Sequence, residues 1–332
     1  MAQNRPKVSV IIPLYNKAAY IGRALDSVFS QTYQDFEIVV VDDGSADNGP
    51  RIVKEYRDSR LRLIRQYNKG PGAARNKGTA ESCAELLAFL DADDEWMPRF
   101  LEKSLHTLEN NADCQLTACT YFLGKQRIDV SPILEGRGIK EGPWRLRADI
   151  SFEELRHVME IFNSPCIVCK RCIIDKYGGF YSRYGCNYGE DYYLWLQVML
   201  NHKVYRILEP LVWYHTEASQ MGPGRAVEHP LEPFLTDPDA IRRNCCRQSR
   251  KLLELWLARF AMATAHKAAT QYGNTRRARY LAKKFPLMKK WPWEYFKLRF
   301  KIMFPGLIGP VRSLKGLWRP DFSNNTGISQ PT

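Results

Sequence analysis

Short apolar segments alternate with amphipathic ones through the first ninety residues of the chain. The apolar segments are rich in β-branched residues and predict buried strands at 8–12, 36–41, 61–65 and 86–90. Residues 17–31 carry apolar side chains at helical spacing, and 71–83 is rich in alanine and begins with a proline, so both predict helices. Strands that alternate with helices predict an α/β fold whose mostly parallel sheet has helices on both faces.

The pattern changes after residue 110. Residues 116–123 and 165–169 are typical of strands, a charged stretch rich in glycine and proline lies around 135–147, and 191–200 predicts a helix rich in aromatic residues. From about 241 the chain is basic and helical. We therefore expect two halves of one domain, a linker, a basic helical region and a disordered tail, at 1–110, 111–221, 222–240, 241–322 and 323–332.

The positive charge is concentrated near the C-terminus. The chain has a formal net charge of +13, but residues 241–320 alone contain 20 Lys and Arg against 2 Asp and Glu, so the remainder sums to −5. Such a segment suits an anionic surface, either phospholipid or nucleic acid. Aromatic and cationic residues alternate in 291–304, which favours an anionic membrane surface, and no nucleic-acid motif is present, so we expect no nucleic-acid partner. A helical cap folded on the rest of the protein, with a solvated basic face, remains the alternative.

The cysteines and the lengths of the apolar runs indicate the cellular compartment of the protein. The polar residues 1–7 predict no signal peptide, and the chain lacks an 18-residue apolar run, so no spanning helix is expected. Nine cysteines without a secretion signal indicate reduced thiols in the cytosol. Cys166, Cys169 and Cys172, with Cys186 as a fourth ligand, have zinc-like spacing. Because the first two fall in a predicted buried strand, we favour small buried hydrophobic residues there.

Acidic residues follow two of the predicted strands. Asp91, Asp93 and Asp94 come after the fourth strand, and carboxylates so close together are oxygen ligands for Mg²⁺ or Mn²⁺ that bridges to phosphates. A cap for the helix predicted at 96–108 is the alternative. Asp42 and Asp43 follow the second strand and can accept from a nucleobase or a ribose hydroxyl, or form an ordinary turn. In parallel sheets, ligands bind at these carboxyl ends.

Two helix starts carry further candidate chemistry. Residues 68–78 combine glycines with Arg75, which suits a pyrophosphate; because Arg75 stands where a dinucleotide fingerprint needs its third glycine, we expect no redox cofactor. Glu190 and Asp191 open the aromatic-rich helix, which suggests a general base beside a platform for carbohydrate stacking. A negatively charged start of a core helix is the alternative there.

Taken in order, these segments resemble family 2 glycosyltransferases of the GT-A fold, of the kind that assembles bacterial surface polysaccharides. The resemblance covers about residues 6–220 and is carried by VSVIIPLYN at 8–16, VDDGS at 41–45, GAARNKG at 72–78, LDADDEWMP at 90–98, and GGF at 178–180 followed by GEDYYLW at 189–195. It implies a Rossmann-like, mostly parallel central sheet flanked by helices, with the basic helices as a C-terminal extension. Residues 1–110 would be the nucleotide-sugar-binding half and 111–221 the acceptor-binding half.

The resemblance also implies roles around the donor. Pro13 and Tyr15 line the pocket for the base, and Tyr15 stacks on it. Asp43, with Asp42 beside it, binds the base or the ribose edge. Arg75 either approaches the donor phosphates or holds the acidic cluster in place.

The same resemblance assigns the metal and the base. Asp91 and Asp93 match the D-x-D element, and Asp93 is the expected direct or water-mediated ligand of Mg²⁺ or Mn²⁺. Asp191 matches the catalytic base, with Glu190 as its neighbour. His215 stands where many members place a histidine near the metal and pyrophosphate, although the arginine usual just before it is missing, so an ordinary packed histidine is an equal alternative.

The implied reaction is inverting transfer of a sugar from a nucleotide diphosphate sugar to the hydroxyl of a saccharide or lipid-linked saccharide. The expected location is the cytoplasm, at the inner face of the cell membrane. A non-catalytic scaffold of the same fold that binds sugar nucleotides or membranes is one alternative. Four intact carboxylates in the motifs argue against it: Asp43, Asp91, Asp93 and Asp191. A nucleotidyltransferase is another, disfavoured because the chain lacks a glycine-rich, lysine-bearing triphosphate loop.

Overall fold

The computed structural model describes residues 5–147, 149–218 and 228–304. The strands are β1 (Val8–Leu14), β2 (Phe36–Asp42), β3 (Leu61–Arg65), β4 (Leu86–Phe89), β5 (Glu95–Trp96), β6 (Leu116–Leu123), β7 (Ile128–Asp129), β8 (Gly142–Trp144), β9 (Ile167–Lys170) and β10 (Val204–Tyr214). The α-helices are α1 (Ile21–Phe29), α2 (Gly49–Glu55), α3 (Pro71–Glu81), α4 (Phe100–Asn110), α5 (Ser131–Gly136), α6 (Phe152–Met159), α7 (Arg171–Tyr177), α8 (Glu190–Asn201), α9 (Pro233–Thr236), α10 (Asp239–Asn244), α11 (Arg250–Gln271), α12 (Thr275–Lys284) and α13 (Pro292–Met303). The predicted disordered tail at 323–332 lies outside the described residues.

All ten strands join one sheet. Its main path runs β3-β2-β1-β4-β9-β6-β10-β5, with β7 beside β6 and β8 beside β10. The first four strands are parallel to one another, β9 runs antiparallel to both of its neighbours, and β10 is parallel to β6. The prediction of an α/β fold with a central sheet flanked by helices is confirmed, and helices follow in the C-terminal part of the chain.

The core of this sheet explains its sequence pattern. The apolar side chains of β1, β2 and β4 are almost entirely buried, because helices cover both faces of the parallel strands. On α1, the predicted apolar stripe is buried: Ile21, Ala24, Leu25 and Val28. The continuous apolar runs of the strands and the single apolar face of the helix therefore have one cause, the packing of helices against the sheet.

Helix α3 lies very close to the sheet. Gly78 faces β1 and β2, and a Cβ atom at this position would lie 2.5 Å from Ile11 Cγ2 and 3.3 Å from Val41 Cγ2. The small residues of α3 thus permit an approach that larger side chains would prevent. This close packing places the N-terminal turns of α3 at the carboxyl ends of the strands.

Two local predictions differ from the structure, and one stretch without a prediction contains regular elements. The helix predicted from residue 96 begins at Phe100, because Glu95–Trp96 pairs with β10 as a short antiparallel strand. The strand predicted from Pro165 begins at Ile167, after a 3₁₀ turn at Ser164–Cys166 that suits a proline without an N–H. The charged stretch around 135–147 contains the end of α5 and the short strand β8.

The chain divides into two compact units. The first comprises Met1–Gly222 with Pro230–Arg250, and the second comprises Pro223–His229 with Lys251–Thr332. Part of the expected linker is therefore structured: α9 and α10 belong to the first unit, where the carbonyl of Asp237 accepts from Tyr193 Oη at 2.9 Å and its carboxylate accepts from Arg183. Among the described helices, none is long and apolar enough to cross a membrane.

The close packing of α3 gives a stability prediction. Gly78→Ala should lower the free energy of unfolding by about 1–3 kcal/mol, because the buried, branched Ile11 must move. Equilibrium urea unfolding followed by circular dichroism measures this change. The matched control is Gly136→Ala, where a Cβ atom meets nothing within 4 Å. A Gly78→Ala protein as stable as the control would contradict this packing.

Candidate functional site

Side chains from three parallel strands gather at one edge of the sheet. Pro13 lies at the end of β1 and Tyr15 directly after it, Asp43 follows β2, and Asp91 follows β4 by one residue. Because parallel strands present their carboxyl ends at the same edge, residues distant in the chain meet there. Tyr15 is 47% exposed, so its ring is open to a flat ligand.

The turn after β1 is tied to the turn after β2. Asn16 adopts a left-handed conformation with φ of 52°. Its N–H donates to Ser45 Oγ at 3.1 Å, and its side-chain oxygen accepts from the N–H of Ala46 at 2.8 Å. These bonds fix the backbone that presents Tyr15.

The two aspartates after β2 are buried and engaged with neighbouring loops. Asp43 accepts from Gln66 Nε2 at 2.8 Å and from the N–H groups of Lys69 and Gly70 at 2.9 and 2.8 Å. Asp42 accepts from the N–H of Ser45 at 2.8 Å. Asp43 thereby anchors the segment that leads into α3, so this predicted donor-binding residue also shapes its surroundings.

Arg75 joins two acidic parts of the site. Its Nη1 donates to Glu190 Oε1 at 2.7 Å and its Nη2 donates to Asp91 Oδ1 at 2.5 Å, while Phe180 lies against the guanidinium at 5.3 Å. Burial alone would lower the pKa of Arg75, but the carboxylates of Asp91 and Glu190 raise it overall. The structure therefore holds a permanently charged, buried cation between α8 and the end of β4.

The segment after β4 has its own cationic partners. Lys17 Nζ donates to Asp93 Oδ2 at 2.6 Å and to the carbonyl of Ala218 at 2.8 Å, and Arg23 donates to the carbonyl of Asp93 at 2.7 Å. Burial raises the pKa of Asp93, although Lys17 opposes this effect. Burial also raises the pKa of Asp94, whose Oδ2 is buried without a hydrogen-bond partner among the described residues.

Glu190 and Asp191 begin α8. Asp191 accepts from the N–H of Tyr192 at 2.8 Å and from Ser164 Oγ at 3.3 Å. Burial raises the pKa of Asp191, and Arg75 opposes that rise. Burial, followed by the charge of Asp191, raises the pKa of Glu190 to about 7 despite its bond to Arg75.

Asp91 connects these groups electrostatically. The charge of Asp91 raises the pKa of both Asp93 and Asp191. In each case burial and the nearby cation have larger effects on the pKa than Asp91 has. Such coupling requires short separations in a weakly polar environment. The acidic residues after β4 and at the start of α8 therefore form one cluster, with Arg75 inside it.

His215 lies beside this cluster. Its ring Nε2 is 2.7 Å from Glu95 Oε1, its Nδ1 is 3.0 Å from Glu217 Oε1, and its ring stacks on Trp213 at 4.5 Å. Its N–H donates to Asp94 Oδ1 at 3.0 Å. Both ring nitrogens thus contact carboxylates in this structure.

Sequence reasoning missed two polar partners. Lys17 contacts Asp93. The only feature of the sequence that indicates a role for Lys17 is its position directly after the first motif. Ser164 contacts Asp191 from 27 residues away, and also lies 3.3 Å from Trp195 Nε1. No local pattern indicates Ser164, because tertiary structure alone brings it to α8.

The acidic cluster offers carboxylate oxygens to a divalent cation. Within residues 5–147, 149–218 and 228–304, no group of three or more His, Cys, Asp or Glu side chains is arranged to hold a metal ion. Asp91 and Asp93 each bind a cationic side chain through one carboxylate oxygen, so a metal ion would have to use the second oxygen of each. Because Mg²⁺ is typically bound by one or two carboxylates plus substrate phosphates, this donor set fits a cation completed by a diphosphate.

Sequence comparisons find glycosyltransferases. The profile of Glycosyl transferase family 2 matches residues 9–177. A Nostoc sp. protein, the uncharacterized glycosyltransferase alr2836, is 43% identical over 108 residues, covering 32% of this chain and 34% of that protein. The UDP-Glc:alpha-D-GlcNAc-diphosphoundecaprenol beta-1,3-glucosyltransferase WfgD of Escherichia coli is 29% identical over 208 residues, covering 59% of this chain and 71% of WfgD. Across three curated relatives, the Nostoc protein among them, the chain covers from 34% to 52% of the relative's length.

Solved structures share the fold. The S. aureus protein TarS, in a complex with UDP-GlcNAc, matches with a TM-score of 0.67 at 18% identity, covering 90% of this chain and 89% of that chain. The mannosyltransferase PcManGT from Pyrobaculum calidifontis, in complex with GDP-Man and Mn²⁺, matches with a TM-score of 0.52 at 21% identity, covering 91% and 88%. At these identities the likeness concerns the fold alone.

The profile match extends over half of the chain and includes the strand-end aspartates and Arg75. The solved structures share the overall fold of this chain. On this evidence, the chain belongs to glycosyltransferase family 2.

Proposed function

We propose that the protein transfers a sugar from a nucleotide diphosphate sugar to a hydroxyl acceptor, with inversion at the anomeric carbon, in polysaccharide or glycolipid assembly. The observation that carries this proposal is the bridge formed by Arg75, which binds both Asp91 and Glu190. Because Asp191 adjoins Glu190, the bridge brings Asp91, a proposed ligand of the cation, close to Asp191, the proposed base. A cation-binding element and a base in one cluster are what glycosyl transfer from a diphosphate donor requires.

The donor site is proposed at the ends of β1 and β2. The exposed ring of Tyr15 offers a stacking surface for the base, with Pro13 beside it. Asp42 and Asp43 are the proposed acceptors for a base N–H or a ribose hydroxyl, although both are buried and already accept hydrogen bonds from neighbouring loops. TarS and PcManGT, which share the fold, were solved with UDP-GlcNAc and GDP-Man respectively. These complexes support a nucleotide sugar as the donor class.

Asp91 and Asp93 are the residues that would hold Mg²⁺ or Mn²⁺. His215 is a further candidate ligand, which would have to release Glu95 or Glu217 from one ring nitrogen to bind the ion. The bound ion would neutralise charge that develops on the leaving nucleoside diphosphate. Lys17, which contacts Asp93, supplies a second positive charge in the same place. Arg75 is a positioning residue in this scheme, since both of its charged contacts are to carboxylates of the protein.

Asp191 is the proposed base. Ser164 and the N–H of Tyr192 hold its carboxylate, and burial raises its pKa toward the range in which a carboxylate accepts a proton effectively. Asp191 takes the proton of the acceptor hydroxyl as that oxygen bonds to the anomeric carbon. The bond from this carbon to the diphosphate oxygen breaks on the opposite side, so one displacement inverts the configuration.

The acceptor is proposed to be a saccharide or a lipid-linked saccharide. The name of WfgD describes transfer to a GlcNAc-diphosphoundecaprenol, and this relative aligns over 59% of the chain. A lipid-linked acceptor places the reaction at the inner face of the cell membrane, with the protein peripheral to it on the cytoplasmic side.

Product analysis tests the reaction class. Incubation with nucleotide sugars and Mn²⁺ should release a nucleoside diphosphate in an acceptor-dependent manner. Release of pyrophosphate would indicate nucleotidyl transfer instead. Binding without any turnover, across donors and acceptors, would indicate a non-catalytic scaffold.

The base assignment gives a first prediction. Asp191→Asn should lower the turnover number by about 10²–10⁴-fold, because the variant cannot accept the proton, while nucleotide affinity stays close to that of the wild type. Acceptor-dependent release of nucleoside diphosphate measures turnover, and calorimetry measures binding. Asp149→Asn, at an exposed aspartate, is the control. Turnover at the wild-type rate would exclude Asp191 as the base.

The cation assignment gives a second prediction. Asp93→Ala should weaken nucleotide binding in Mn²⁺ by at least about tenfold, and should leave affinity in EDTA closer to that of the wild type. Calorimetry with and without Mn²⁺ makes the comparison, and Asp149→Ala serves as the control. Unchanged affinity in Mn²⁺ would remove Asp93 from the cation site.

The raised pKa of Glu190 gives a third prediction. Glu190 ionises at about 7 in the folded protein instead of 4.5, so between these values the folded state binds more protons than the unfolded state. The free energy of unfolding therefore falls as pH rises through this window. Glu190→Gln cannot ionise, so its stability relative to the wild type should rise with pH. Denaturant unfolding at several pH values measures this trend. Glu135→Gln is the control, because Glu135 is exposed. Parallel profiles for wild type and Glu190→Gln would contradict it.

A further inference from the structure

Helix α13 presents an apolar stripe to solvent. The side chains concerned are between 38% and 63% exposed: Trp293, Phe296, Phe300, Met303 and, directly after the helix, Phe304. Their spacing of three and four residues places them on one face, about 100° wide. Trp293 stacks on Phe296 with ring centroids 5.9 Å apart, and Phe300 lies 5.1 Å from Phe304. Together these five side chains form an exposed apolar face, here called the α13 stripe.

The opposite face of α13 fixes the orientation of this stripe. Leu298 and Ile302 are buried within the second unit. The carbonyl of Glu294 accepts from His266 Nε2 at 2.9 Å, and the carbonyl of Ile302 accepts from Arg279 Nη2 at 3.3 Å. The helix is therefore attached to its own unit by one side, and the aromatic stripe is not the side that forms the core.

Cations border the α13 stripe. On a helical projection Lys297 and Lys301 lie beyond one margin and Arg299 beyond the other. Lys297 Nζ lies 4.9 Å from the centre of the Trp293 ring. Residues 251–304 contain 13 Lys and Arg against 2 Asp and Glu. The surroundings of the stripe are thus strongly positive.

We propose that the α13 stripe inserts into the headgroup region of a membrane containing anionic phospholipids, with the helix parallel to the surface. Aromatic and aliphatic side chains enter the boundary between headgroups and acyl chains, and flanking cations contact lipid phosphates. The positive surroundings require an anionic occupant, and the exposed apolar side chains favour a membrane. A single-stranded nucleic acid is also anionic and could stack on the rings, but it would gain little from Met303. The surface gives the peripheral location proposed above a physical basis, and it does not depend on sugar transfer.

Vesicle co-sedimentation of the full chain tests the proposal. Binding should be stronger to phosphatidylcholine vesicles that contain phosphatidylglycerol than to phosphatidylcholine alone, and should weaken at high salt. The double variant Phe296→Ser with Phe300→Ser should reduce partitioning by at least about tenfold. The matched control is Ile128→Ser, at an exposed apolar residue of the first unit. Circular dichroism should show the same folded content in each variant, because the replaced side chains are exposed.

Two further measurements separate the apolar and cationic contributions. Lys297→Gln with Arg299→Gln should reduce binding to the anionic vesicles by about fivefold for each charge and flatten the salt dependence. Brominated acyl chains should quench part of the tryptophan fluorescence in the wild type. Trp293→Phe should remove that quenched component while binding persists.

Three results would overturn the proposal. Equal vesicle binding by the Phe296→Ser, Phe300→Ser protein and the wild type would exclude the stripe as the contact. Binding to single-stranded RNA but not to vesicles would assign the surface to nucleic acid. A wild-type dimer that becomes monomeric in the double variant, without vesicle binding, would make the stripe an interface between two copies of this chain.

Discussion

A single buried guanidinium organises the acidic site. Arg75 pairs with Asp91 and Glu190, and its charge also acts on Asp191. Without a cation, these carboxylates would repel one another in a weakly polar environment, and each would be driven toward its neutral form. Arg75 cancels part of that repulsion, so ionised oxygens can remain available for a cation or a proton. Its removal would leave buried charges without a partner, a situation that is more costly than the loss of an exposed ion pair.

The position of Arg75 follows from the packing of α3. Gly78 allows this helix to lie against β1 and β2, and Gly72 allows its first turn to approach the carbonyl of Tyr181, where a Cβ atom would be 2.4 Å away. Asp43 anchors the segment before the helix through the N–H groups of Lys69 and Gly70. The residues proposed to bind the donor base and those proposed to hold the cation are therefore connected through one short, tightly packed helix. A shift of α3 would disturb both.

The sequence predicted the parallel strands β1 to β4 and the helices α1 and α3 well, because buried strands and one-sided helices have clear periodic patterns, as β2 and α1 illustrate. It did not predict α2 or the parallel strand β10. The motif order also indicated which aspartates to examine. The two-residue strand β5, the helices α9 and α10 and the contact of Ser164 with Asp191 were not predicted. Each depends on a partner far away in the chain, such as β10 for β5, and distant partners leave no periodic trace in the local sequence. The contact of Lys17 with Asp93 belongs to the same class, since it spans 76 residues.

The distribution of charge also separates the two functions proposed for this chain, sugar transfer at the acidic site and membrane binding by the second unit. Outside residues 241–320 the formal charge sums to −5, so an anionic membrane would repel that part of the protein, and its cluster of carboxylates gives no attraction to lipid phosphates. The proposed anionic donor would meet the same difficulty at the site, where Arg75, Lys17 and the proposed divalent cation would offset the repulsion locally. At a membrane surface, attraction must come from another part of the chain, and the second unit carries the required excess of Lys and Arg together with exposed aromatic side chains. Charge segregation along the sequence therefore makes the proposed chemistry of the acidic site compatible with the proposed membrane contact of the α13 stripe.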